Sequence, residues 1–279
     1  MKSDQLLTRR RALLAGAGAL GAAGTAGVFA AVTGSEPESP ALAPAPGPRA
    51  RRPLKSSAYR LQPLTGYGPR HPAPARTMVR HAPLLRVSGR GRTMVLTFDD
   101  GPDPRYTPRI LDVLAEHDVR AMFFVCGETA DDHRDLVSRM ADEGHVVGNH
   151  TWSHPLLTQL TRAAIRDQME RTSHVIEEAY GERPQWFRAP YGAWNRATFQ
   201  IGAELGMEPL AWTVDTLDWT RPGTRKIAGR VEKGAAPGVV VLSHDAGGDR
   251  SQSVNALRAY LPDLLKAGYH VTVPRRQLT

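Results

Sequence analysis

A chain of 279 residues with 41% apolar and 23% charged residues is long enough to bury a core and has the composition of a soluble globular protein. Its formal charge of +8 is unevenly placed: residues 1–33 carry +3, 34–92 carry +9 and 93–279 carry −4. The basic character therefore sits outside the part that reads as folded, which excludes a nucleic-acid reader with a basic stripe on its folded module. A single cysteine excludes an intrachain disulfide and gives no reason to expect a cysteine-linked partner.

In chain order, residues 8–14, TRRRALL, lead into an uncharged run over 12–32, in which 14 of 21 residues are Ala or Gly. Paired arginines before a mildly apolar segment resemble a twin-arginine export signal, and Val28-Phe-Ala30 offers a small-residue cleavage site. An uncleaved membrane anchor is the alternative. Residues 34–92 are rich in Pro, Arg, Ala and Gly without a sustained period, and read as a semi-rigid linker. Its charge suits a loose contact with an anionic cell-wall polymer or membrane, or no partner at all.

From residue 93 the texture becomes alternating. Strands are expected over 94–98, 121–126, 145–149, 185–187, 210–214, 239–242 and 270–273. Helices are expected over 108–117, 131–143, 162–180, 196–205, 225–233 and 254–267. This alternation predicts an α/β fold with a parallel sheet, in a compact, incomplete (β/α) barrel over 93–279. Cys126, His145, Trp152 and Trp186 read as packing residues.

Five polar clusters each follow a predicted strand: TFDDGP at 97–102, HTWSH at 150–154, RAPYG at 188–192, DTLDW at 215–219 and LSH at 242–244. Strand C-terminal ends are where barrels and open α/β sheets build sites. His150 and His154, one helical turn apart, would face one way. With Asp100 they offer two nitrogens and one oxygen, leaving an open position on a tetrahedral Zn²⁺. Such an ion would acidify a bound water and polarise a carbonyl. Asp99 would accept the proton of the attacking water, held by the Arg188 fork. His244 would be the general acid, paired with Asp215, and the backbone N–H of Tyr191 would help hold the oxyanion. These residues together predict metal-assisted hydrolysis of an acyl group.

The five motifs in order resemble the polysaccharide deacetylases, carbohydrate esterase family four, with the NodB homology domain, over about residues 93–273. The resemblance implies a distorted (β/α) barrel, Zn²⁺ or alternatively Co²⁺, and a polysaccharide substrate. It implies removal of N-acetyl groups from GlcNAc- or MurNAc-type sugars, or of O-acetyl groups from xylan. It also places Trp219 and Leu242 around the acetyl methyl group. Peptidoglycan is the favoured polymer, because export and a basic linker would keep the enzyme near the wall. A chitooligosaccharide deacetylase, an acetylxylan esterase and a metal-containing carbohydrate-binding module without turnover are the alternatives.

Overall fold

The chain's computed structural model describes residues 77–87 and 91–274; the expected leader over 1–33 and most of the expected linker lie outside them. The fold grows from strand β1 (Thr93–Asp99), buried along its whole length. A strand's period of two divides its side chains between two layers. Met94, Leu96 and Phe98 join the helices in an outer core, while Val95 packs inside with Met122, Phe124, Trp186, Leu210 and Val240.

On one flank of β1 lie β2 (Met122–Val125), β3 (Val146–Asn149), β4 (Trp186–Phe187) and β5 (Glu208–Pro209). On the other lie β7 (Val240–His244) and then β6 (Val214–Asp215). Every ladder is parallel, and β8 (His270–Val271) pairs with the first residues of β1. Among the described residues the edge strands β5 and β6 share no ladder, so the expected incomplete (β/α) barrel is what forms.

The outer layer comprises α1 (Thr107–Glu116), α2 (Gly127–Asp132), α3 (Arg134–Asp142), α4 (Arg162–Tyr180), α5 (Arg196–Glu204), α6 (Thr224–Gly234) and α7 (Ser251–Lys266). α4 has the bounds the sequence predicts because both its signals are local. Thr161 Oγ1 accepts the N–H of Ala164, and Gly181 closes the last turn at φ 91°.

Three expectations are corrected. The helix predicted over 131–143 is two, because His133 (φ −133°, ψ 52°) leaves the helical region between them. The strand predicted over 210–214 is not continuous, because the carbonyls of Leu210 and Ala211 accept hydrogen bonds from Arg188 instead of a strand neighbour. Residues 77–87, read as linker, dock on the domain. Leu84 bridges to Leu210 and Arg86 to Val239, and Arg80 pairs with Glu208. This segment thus fills part of the gap that β5 and β6 leave open.

The barrel interior is packed tightly enough to dictate glycine at position 148. A Cβ there would stand 2.7 Å from the Phe124 ring and 3.2 Å from the Trp186 carbonyl. Gly148→Ala is therefore expected to destabilise the domain by about 1–3 kcal/mol, read as a lower urea midpoint at unchanged slope.

Candidate active site

The site begins with strand register. Asp99 on β1 and His244 on β7 are direct partners in a parallel ladder, so both side chains emerge on the same inner face. The neighbouring inner position on β4's continuation is Arg188, which is completely buried. Its Nη1 donates to Asp99 Oδ1 at 2.6 Å and to Thr97 Oγ1 at 2.8 Å. Its Nε and Nη2 donate to the carbonyls of Leu210 and Ala211, both at 3.0 Å. The guanidinium lies 4.2 Å from the centre of the Phe124 ring, a stacked arrangement suited to its flat, delocalised charge. Asp99 is thereby fixed at one oxygen, while the other faces His150 Nε2 at 3.6 Å.

Strict alternation would send Asp100 toward the helices. It does not go there, because Asp100 takes φ 76° and swings its carboxylate back over the strand ends. Asp100 Oδ1 lies 3.5 Å from His150 Nε2 and 3.3 Å from His154 Nε2. His150 Nδ1 lies 2.8 Å from the Arg188 carbonyl, a contact that assigns the proton to Nδ1 and turns the Nε2 lone pair to the cluster. The two histidines are not on a helical turn, as their spacing suggests. Residues 150–154 form a loop in which Thr151 (φ 70°) and His154 (φ 56°) are left-handed, and this brings the rings to 4.9 Å.

These three residues are the one group of potential metal ligands among the described residues, with ligand atoms all within 4.8 Å of one another. Their chemistry fits a divalent cation. Asp100 Oδ1 is buried without a hydrogen-bond donor. Burial alone would raise the Asp100 pKa, but the neighbouring histidines, His150 foremost, hold it below the ordinary carboxylate range. Burial, with repulsion from His150, lowers His154 to about 4. An ionised carboxylate beside a neutral imidazole is what a cation site requires.

His244 is built for the opposite state. Its Nδ1 meets Asp218 Oδ1 at 2.7 Å, and Asp218 Oδ2 accepts from the His244 backbone N–H and from Ser253 Oγ. Burial works against the imidazolium, but the Asp218 hydrogen bond and charge outweigh it and push His244 up to about 9. The expected partner, Asp215, is therefore corrected to Asp218. Asp215 lines the same cavity, but its Oδ1 accepts the N–H of Leu217 at 2.8 Å and makes no hydrogen bond to His244.

A cavity of about 460 Å³ opens above these groups. Tyr191, left-handed at φ 61°, and the exposed Trp219 stand at its mouth, and the buried Leu242 lines its wall. The Tyr191 ring meets His154 edge-on at 4.6 Å. The structure also brings in Trp212 and Arg250, which the sequence did not single out. Cys126, His145, Trp152 and Trp186 pack as expected: Cys126, His145 and Trp186 are buried, and Trp152 is partly buried against the outer core.

A parallel barrel that gathers an Asp-His-His cluster, a clamped carboxylate and a charged imidazole in one cavity defines a metal-assisted hydrolase. The pattern that defines the polysaccharide deacetylase family matches residues 86–210. A chitooligosaccharide deacetylase from Rhizobium leguminosarum bv. trifolii is 40% identical over 205 residues, 70% of this chain and 95% of that protein. A peptidoglycan-N-acetylglucosamine deacetylase from Bacillus cereus is 39% identical over 183 residues, 65% of this chain and 66% of that protein. A solved peptidoglycan N-acetylglucosamine deacetylase superposes with a TM-score of 0.66 at 37% identity, covering 69% of this chain and 91% of that one. This chain belongs to the polysaccharide deacetylases of carbohydrate esterase family four, amide hydrolases that act on acetylated sugars.

Calorimetric titration with Zn²⁺ is expected to give one site per chain. Asp100→Asn is expected to weaken that site by at least about tenfold, by analogy with lost ligand support; an undiminished affinity would place the ion elsewhere.

Proposed function

We propose that the protein is an exported, Zn²⁺-dependent deacetylase that hydrolyses N-acetyl groups of GlcNAc-type sugars, with peptidoglycan as its polymer. The observation that carries the chemistry is the register pairing that sets Asp99 beside His244 in the cavity lined also by Asp100, His150 and His154. Two imidazole nitrogens and one carboxylate oxygen are a ligand set of catalytic zinc sites that keep a position open. Bound there, the cation supplies Lewis acidity to a water and to the acetyl carbonyl.

The chain's own residues do the rest. Asp99 accepts the proton of the attacking water, with Arg188 holding its carboxylate in one orientation. The backbone N–H of Tyr191 donates to the carbonyl oxygen as it gains charge. His244, kept charged by Asp218, gives its proton to the sugar nitrogen as the C–N bond breaks. Acetate and the free amine leave. Trp219 and Leu242 close the pocket around the acetyl methyl group, and Asp215 supplies a polar wall.

The relatives named above act on chitooligosaccharides and on peptidoglycan by their names. Peptidoglycan is favoured by the arginine pair at the N-terminus and by the net +9 over residues 34–92, which would hold the enzyme against an anionic wall. If the leader is retained, the same enzyme would be membrane-anchored.

Acetate release by the full chain is expected from peptidoglycan and from chitooligosaccharides, to stop on chelation and to return with Zn²⁺. Asp99→Asn should lower kcat by about 10²–10⁴-fold. Silence on all N-acetylated polymers with zinc bound would overturn the assignment. A second expectation concerns pH. The His244 proton is present below its pKa of about 9 and lost above it, so activity should fall on the alkaline side. Asp218→Asn removes the charge that raises this pKa, and the alkaline limb should move down by at least about one unit.

A further inference from the structure

Residues 77–87 are stitched to the barrel at both ends. At one end Thr77 N–H donates to the Ala203 carbonyl at 3.0 Å, and Arg80 pairs with Glu208 on β5. At the other, just before β7, Val87 N–H donates to the Gly238 carbonyl at 3.0 Å and Arg86 Nη1 to the Pro237 carbonyl at 3.0 Å. The approach there leaves no room for a side chain: a Cβ on Gly238 would stand 2.8 Å from the Val87 carbonyl oxygen.

Between these anchors Leu84 pairs with the backbone that carries the acceptors of Arg188. Its N–H donates to the Pro209 carbonyl at 2.8 Å, and its carbonyl accepts the Ala211 N–H at 2.7 Å. These are the two bonds of a parallel bridge to Leu210. In a regular strand the N–H and C=O of one residue point to the same edge. Ala211 departs from this: its N–H goes to Leu84, while its carbonyl goes to Arg188 Nη2 at 3.0 Å. The Leu210 carbonyl accepts Arg188 Nε at 3.0 Å. This short stretch is thus held between Leu84 and Arg188. Side chains repeat the connection. Leu84 and Val87 pack against the inner cluster that contains Phe124 and Leu210, and the Phe124 ring lies against the guanidinium. Arg188 Nη1 in turn holds Asp99 Oδ1 at 2.6 Å. A fully buried cation needs its partners accurately placed, because each misplaced acceptor leaves charge unsatisfied.

We propose that residues 77–87 are a strap that positions the catalytic base, with Leu84 as the positioning residue. Leu84 sets the backbone over 209–211, the carbonyls there set Arg188, and Arg188 sets Asp99. The role given to Asp99 rests on the reading of the cavity as a deacetylase's active site. This part of the basic segment over 34–92 therefore belongs to the catalytic scaffold, and a domain cut at residue 93 lacks it.

The test uses the zinc-loaded full chain on chitooligosaccharide, well below the unfolding midpoint of every variant. Leu84→Pro removes the N–H that Pro209 accepts. It should lower kcat by at least about tenfold with KM little changed, within the cost of misplacing a reacting group by about 1 Å. The conservative Leu84→Val should stay near wild type. Leu114→Ala, which weakens the outer core alone, should lower stability and leave kcat unchanged. Proton exchange at Arg188 Nε–H, followed by NMR, reads the guanidinium without turnover and should quicken by at least about tenfold in Leu84→Pro, as its acceptor loosens. Wild-type kcat in folded Leu84→Pro, or an equal loss of kcat in Leu114→Ala, would overturn the proposal. If Leu84→Pro does not fold, Leu84→Gly takes its place, since it removes the inner packing and frees the backbone; wild-type kcat there overturns the proposal equally. A wild type that binds sugar and releases no acetate would sink the deacetylase reading, and the strap would then be judged on Arg188 exchange, which must quicken in the Leu84 variants for it to stand.

Discussion

The structure turns on one buried ion pair. Arg188 has no exposed surface, and its charge is tolerable only because Asp99, Thr97 and two backbone carbonyls surround it and an aromatic ring lies against its face. Those contacts join β1, the residue after β4 and the link between β5 and β6. Its carbonyl meanwhile sets the ring of His150. Removing either charged partner would strand the other in the barrel, at a cost of about 3–5 kcal/mol. The pair is therefore poor evidence of added stability and good evidence of fixed position. It is the reason that Asp99 points one oxygen down and the other into the cavity.

Around that fixed point the backbone is bent where the chemistry lies. Asp100, Thr151, His154 and Tyr191 are all left-handed without being glycine, conformations that cost about 1–3 kcal/mol each and persist only where surrounding structure enforces them. Asp100, His154 and Tyr191 line the cavity in consequence, and Thr151 turns the loop between the two histidines. The Asp99–Asp100 doublet shows the effect most directly. Ordinary strand alternation would split the two acids between the core layers, whereas the turn at Asp100 brings both to one cavity with different partners.

Much of this was legible in the sequence, and what was not has a common physical cause. The bounds of α4, the parallel barrel, the Arg188 clamp and the gathering of five clusters at strand ends follow from caps, periodicity and residue type. The partner of His244 does not. DTLDW offers two acids, and only the left-handed Leu217 at φ 51° decides between them. It spends Asp215 on its own N–H and turns Asp218 beneath the imidazole. The helical reading of HTWSH failed because spacing does not reveal that Thr151 and His154 leave the helical region. The expected strand over 210–214 failed because its carbonyls are claimed by an arginine more than twenty residues earlier. Docking of residues 77–87 was hidden by a composition that resembles linker. Each case is a tertiary contact overriding a local pattern.

The same contacts explain how one cavity holds histidines in opposite states. His154 lies beside His150, and burial leaves it neutral with a pKa of about 4. His244 is also buried, but the Asp218 carboxylate on its Nδ1 carries it to about 9. At neutral pH the first offers a lone pair and the second a proton, from identical side chains. The separation depends on second-layer partners, Asp218 with Ser253 behind it, and not on the imidazoles themselves. A charged and a neutral imidazole can therefore share the cavity only while Asp218 stays ionised. His244 favours that state through its hydrogen bond and charge, which against the opposing effect of burial hold Asp218 below the ordinary carboxylate range.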